Sequence, residues 1–182
     1  RLKVKIFPEI GRKIWSIYDK TQSKEMFYDN DVVKFREIAL RGPWTSGGIE
    51  FNYGVIGHAP SCAHPVDYKV ETKEDGSVSC YIGVMELPSR TRWMVEINLP
   101  KDAVWVRTRS FWHNYSGDFQ PYYTWANSGV KVTDDMELIY PGTYTIGHDG
   151  ETTPYPIDEK GRDLSIYAQQ NFGLDKSFHP GG

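Results

Sequence analysis

The sequence predicts an all-β protein, an antiparallel β-sandwich, on three observations. Apolar and polar residues alternate with a period of two over many short runs, the signature of strands with one buried face. Good turn chemistry separates those runs. Aromatic residues, which favour strands, make up 14% of the chain, with 12 Tyr, 8 Phe and 6 Trp.

The elements follow in chain order. Residues 2–7 read Leu-Lys-Val-Lys-Ile-Phe and end at Pro8, and a Gly-Arg turn leads into a second strand over 13–18. Further strands are expected over 66–72, 78–87, 92–99, 104–114, 121–125 and 136–140. Glu74-Asp75-Gly76, Pro100-Lys101-Asp102 and Ser116-Gly117-Asp118 supply the turns between them. Helical periodicity is thin: residues 31–40 fit one loose helical face and residues 163–170 a short turn of helix. Residues 147–162, rich in Gly, Pro, Asp and Thr, read as a long loop.

Length and charge bound the function. At 182 residues the chain is expected to form a single domain spanning 1–182. Its 21 basic and 24 acidic residues form no basic stripe, so nucleic acid is not expected as a partner. No apolar run is long enough for a membrane span. The chain opens at Arg1, so a leader could have been removed, and a periplasmic or secreted location is slightly favoured. Cys62 and Cys80 could pair in an oxidising compartment or stay as free buried thiols. No Cys-x-x-Cys or His-x-x-x-His pair is present, and neither a metal nor a cofactor is expected.

Three clusters could carry chemistry. Residues 41–58 hold Trp44, four glycines after Gly42, Glu50, Asn52, Tyr53 and His58. Glu50 and Asn52 are two apart, so in an extended chain they share a face, and a carboxylate, an amide and a ring together suit a polyol. The competing reading is a glycine-rich connector with a solvated or salt-bridged Glu50. In the second cluster Tyr123, Trp125 and Asn127 share a strand face. An aromatic stripe is usually core, but a buried amide such as Asn127 would need partners. The third is Asp163 beside Gly161, a turn residue or a second acid. The five histidines accompany no Gly-x-Ser-x-Gly motif, which disfavours a nucleophilic hydrolase.

Four stretches carry a family resemblance. Residues 6–19, Ile-Phe-Pro-Glu-Ile-Gly-Arg-Lys-Ile-Trp-Ser-Ile-Tyr-Asp, resemble the opening of a galactose-mutarotase-like domain of unknown function. Residues 38–60, around Gly-Gly-Ile-Glu-Phe-Asn-Tyr, are similar to its most recognisable motif. Tyr122–Ala126 with Asn127 resembles an internal strand of that domain, and Gly161-Arg-Asp-Leu-Ser165 its Gly-x-Asp-Leu-Ser loop. Such domains occur with tetratricopeptide repeats in bacterial carbohydrate-active proteins. The resemblance implies an antiparallel β-supersandwich and a carbohydrate ligand. It also implies strands beyond Gly182, so an incomplete copy of the fold within a longer parent chain, with further domains or repeats, is expected.

These readings give one expected site. Glu50 and Asp163 would be the catalytic acid and base of a glycoside hydrolase. Trp44, Asn52, His58, Trp125 and Asn127 would bind the sugar. A non-catalytic carbohydrate-binding domain is the alternative. An aldose epimerase is weaker, because the strand on which the epimerases keep a catalytic His carries Asn127 in what looks like its place.

Overall fold

The computed structural model describes residues 1–38, 42–53, 58, 60–147 and 149–169. Arg41, residues 54–57, His148, Gln170 and His179, all within segments considered above, lie outside the described residues. The chain falls into two compact units, residues 1–130 and 131–182.

The first unit contains β1 (Leu2–Ile6), β2 (Lys13–Asp19), β3 (Lys24–Glu25), β4 (Phe35–Ile38), β5 (Gly42–Thr45) and β6 (Ile49–Tyr53). It continues with β7 (Asp67–Thr72), β8 (Val78–Glu86), β9 (Thr91–Leu99), β10 (Arg107–Asn114) and β11 (Thr124–Ser128). One antiparallel sheet runs β1-β2-β6-β11, with β3 also paired to β2. The other is the antiparallel meander β10-β9-β8-β7. β4 and β5 form a separate hairpin. The fold is an all-β antiparallel sandwich, as the alternation predicts.

Period-2 side-chain alternation explains the core. Cys80 and Ile82 of β8 and Trp93, Val95 and Ile97 of β9 point inward against Phe51 and Tyr53 of β6 and Leu2 of β1. Tyr53 and Trp93 stack across the two sheets at 5.1 Å between ring centroids. In β2 the inward residues are Ile14 and Ile17, three apart. A bulge allows this: Lys5 faces Ser16, yet the next residue, Ile6, faces Ile14, so Trp15 is the extra residue. The outward face of β8 and β9 is a polar ladder. Ser79 donates to Glu96 at 2.8 Å, and Asn98 donates to Ser79 at 2.9 Å.

Several elements differ from expectation. Residues 35–38 are strand β4, where a loose helical face was expected, because Phe35 alone could not define a buried stripe and the segment pairs with β5 instead. Residues 104–106 lie outside β10, and β11 starts at Thr124 because it follows the register of β6. Residues 136–140 form no strand; they are tied to the chain by an isolated bridge, Glu137 to Ile166. The second unit has its own hairpin, β12 (Tyr144–Ile146) with β13 (Thr152–Pro154), inside the stretch expected to be loop. Its buried side chains include Tyr155, Leu164 and Tyr167. Cys62 and Cys80 are both free and buried.

Candidate functional site

The site grows from the two faces of β6. Ile49, Phe51 and Tyr53 face the core, so Glu50 and Asn52 must face the other way. Antiparallel register then places partners beside them. Asn127 lies opposite Glu50, Trp125 opposite Asn52, and Lys13 opposite Glu50 on the other flank. Cross-strand partners share a face, so Lys13, Glu50, Asn52, Trp125 and Asn127 make one polar patch of the five-stranded sheet.

That face is covered rather than open. Glu50 is 6% exposed and Asn52 0%. β5 and the short turn Pro60–Ala63 pack together over it and bring Thr45 and Cys62 close. Two glycines set the approach. Gly48 has φ +61, and a Cβ there would stand 2.1 Å from the Ile14 carbonyl oxygen. Gly11 has φ +104, and its Cβ would stand 2.2 Å from the Cys62 carbonyl oxygen. Both positions demand a residue without a side chain.

The hydrogen bonds converge on Glu50. Its Oε1 lies 2.8 Å from Nδ1 of His58. The Asn52 amide, oriented by its network, donates to the same Oε1 at 3.0 Å and accepts from Trp125 Nε1 at 3.2 Å. The amide atom that meets Glu50 also stands 3.2 Å from the Cys62 sulfur. Lys13 directs its ammonium to Thr45 O (2.8 Å), Thr45 Oγ1 (3.0 Å) and Ser46 O (3.2 Å). Burial pushes the Lys13 amine down to about 8, opposed by the negative charge of Glu50. Burial pushes the Cys62 thiol up to about 12, opposed by the Arg12 guanidinium.

Aromatic rings line the outer rim. Trp44 stacks on His58 at 5.7 Å, His58 meets Trp125 edge-on at 6.0 Å, and Trp125 packs against Tyr123 at 4.8 Å. His58, with 19% of its side chain exposed, roofs the buried Glu50. Tyr123 is 52% exposed, and Asn127 is also exposed.

Asp163 belongs to the second unit. Its Oδ1 accepts from the Ser165 backbone N–H at 2.9 Å and the Ser165 hydroxyl at 2.6 Å, which hold its carboxyl below the usual range. Locally it is the turn residue that the sequence offered as one of two readings. The other six expected residues lie within the first unit. Trp44, Glu50, Asn52, His58 and Trp125 are linked by direct contacts, and Asn127 stands on the Glu50 face by register.

A family model described as a domain of unknown function, DUF5107, matches residues 1–182. The chain belongs to the DUF5107 family. Among solved structures it is similar to a TPR-domain containing protein from Parabacteroides distasonis, with 25% identity and a TM-score of 0.72. The similarity covers 79% of this chain and 25% of that protein, so this DUF5107 chain matches about a quarter of its neighbour's length.

Three residues of this DUF5107 site were not among the expected site residues. Lys13 enters only through the β2–β6 register, which sequence spacing does not reveal. Cys62 arrives through the close approach of Gly11, whose glycine is the one legible signal. Tyr123 was legible in the aromatic stripe but had no reason to be preferred over a core role.

Proposed function

We propose that this is a carbohydrate-active domain of the galactose-mutarotase-like kind, and that it takes its sugar at the outer rim of the β6–β11 face. The observation that carries the reading is the row of rings Trp44, His58, Trp125 and Tyr123, with the exposed amide of Asn127 two residues from Trp125 on the same strand face. Half-exposed rings offer an apolar platform for a sugar's C–H face, and a few fixed polar groups orient its hydroxyls. Glu50 is too deep to touch a ligand in the described arrangement. It fixes the His58 ring, and His58 is the group that reaches the sugar. The TPR-domain containing neighbour supports a setting in a larger, multi-domain parent.

Hydrolysis is the second reading, favoured by the Glu50–His58 pair, which can hold and pass a proton. A glycan panel assayed with the wild type and Glu50→Gln separates the readings. For a working acid or base, turnover falls about 100-fold or more while affinity stays within about tenfold. For a binding domain there is no turnover, and affinity falls as His58 loses its anchor. No binding to any glycan, by either protein, overturns the proposal.

A further inference from the structure

The pocket beneath His58 has a second chemical character that does not depend on the sugar reading. Glu50, His58 and Cys62 each present one ligand atom, and these atoms all lie within 4.8 Å of one another. They come from a single short stretch in the order Glu-x7-His-x3-Cys, a spacing outside the paired Cys and His patterns of zinc motifs. We propose that these three side chains form a binding site for one divalent transition-metal ion of the zinc class.

Geometry supports the ligand set. Zinc holds oxygen, nitrogen and sulfur at about 2.0–2.3 Å, so tetrahedral ligand atoms stand about 3.3–3.7 Å apart. The Glu50–His58 separation of 2.8 Å and the 4.8 Å limit of the trio bracket that spacing. The softness is also right: an imidazole, a thiol and a carboxylate together select zinc or cobalt over magnesium or calcium. Three protein ligands leave a fourth position open.

Charge supports it too. Two buried cations lie close by: Lys13 directs its hydrogen bonds elsewhere, whereas Arg12 donates one to the Cys62 sulfur. All three Lys13 ammonium protons have partners in Thr45 and Ser46. Arg12 pairs with Glu86 at 3.4 Å, and its Nη2 also donates to the Cys62 sulfur at 3.8 Å. A carboxylate and a thiolate would together neutralise a divalent ion. Outside the ligands, Asn52 donates to the Glu50 oxygen and is itself held by Trp125, the kind of support that orients a metal-bound carboxylate.

Cobalt titration of the purified 182-residue chain, followed by absorption spectroscopy with no sugar present, tests the proposal. The expected result is saturation at one equivalent, tetrahedral visible bands and a sulfur-to-cobalt charge-transfer band in the near ultraviolet. Cys62→Ser should abolish the charge-transfer band, whereas Cys80→Ser should keep it. His58→Ala, at the part-exposed roof, should weaken uptake about 100-fold while leaving the fold intact by circular dichroism. Asn52→Ala should cost about 10–100-fold. If Cys62→Ser does not fold, the wild-type spectrum and His58→Ala still decide. A wild type without the charge-transfer band, a band that survives Cys62→Ser, or uptake unchanged in His58→Ala overturns the site.

Discussion

At the scale of single residues, Gly48 is the position on which the site most depends. Its positive φ is one that side chains rarely adopt, and the space its Cβ would need is filled by the Ile14 carbonyl oxygen at 2.1 Å. Gly48→Ala must therefore push β6 away from β2, where Lys13 and Glu50 are register partners. The expected loss is about 2 kcal/mol or more in urea unfolding. Gly117→Ala is the control, since nothing lies within 4 Å of its would-be Cβ, and it should change stability by no more than about 0.5 kcal/mol. Equal effects of the two changes would mean that the close approach is not a constraint. The Glu50 orientation was legible in sequence because Ile49, Phe51 and Tyr53 alternate with it. Its depth was not: burial to 6% comes from β5 and the Pro60–Ala63 turn folding over it, a long-range event without a local pattern.

At the scale of elements, two polar knots brace the sandwich. On the core side Arg12 lies 4.2 Å over the Trp93 ring and pairs with Glu86, which also accepts from Ser61 at 2.8 Å and Trp93 at 3.3 Å. Two nitrogens of Arg12, Nε and Nη1, are buried without a hydrogen-bond partner. Breaking such a pair from one side strands a buried charge and costs about 3–5 kcal/mol, whereas removing both charges can be nearly neutral. Arg12→Met is accordingly expected to lose about 3–5 kcal/mol. Arg12→Met with Glu86→Leu should lose at least about 1 kcal/mol less than Arg12→Met alone. A double-mutant cycle by urea unfolding checks this, and simple additivity would contradict it.

The second knot sits on the outer face of the meander. Lys73 (2.7 Å), Ser79 (2.8 Å) and Tyr81 (3.2 Å) all donate to Glu96, and these bonds hold its carboxyl at about 2, below its ordinary 4.5. The folded value is lower than the unfolded one, so the stabilisation is complete above pH 4.5 and fades as pH falls towards 2. Acid unfolding followed by tryptophan fluorescence should show a gap between wild type and Glu96→Gln that closes over this window. A gap that widens in acid would reverse the assignment. The strands of this meander were legible from alternation and turn residues. β4, β5 and the end of β10 were not, because their pairing is set by neighbours distant in sequence.

At the scale of the whole molecule, a DUF5107 chain folds as an antiparallel sandwich whose five-stranded sheet turns a polar, aromatic-rimmed patch outward. The fold class was readable because strand alternation is a local property repeated many times. The division into units at residue 130 was not, since no linker-like composition marks it. Sugar binding by this domain requires a sugar ring seated against the rings at Trp125. The most direct measurement is a crystal structure of the chain soaked with the best oligosaccharide from the glycan panel. A sugar ring against Trp125 and Tyr123, with a hydroxyl hydrogen-bonded to Asn127 or His58, is the predicted result. A sugar seated on the outer face of the β7–β10 sheet, with the Trp125 rim bare, would contradict it.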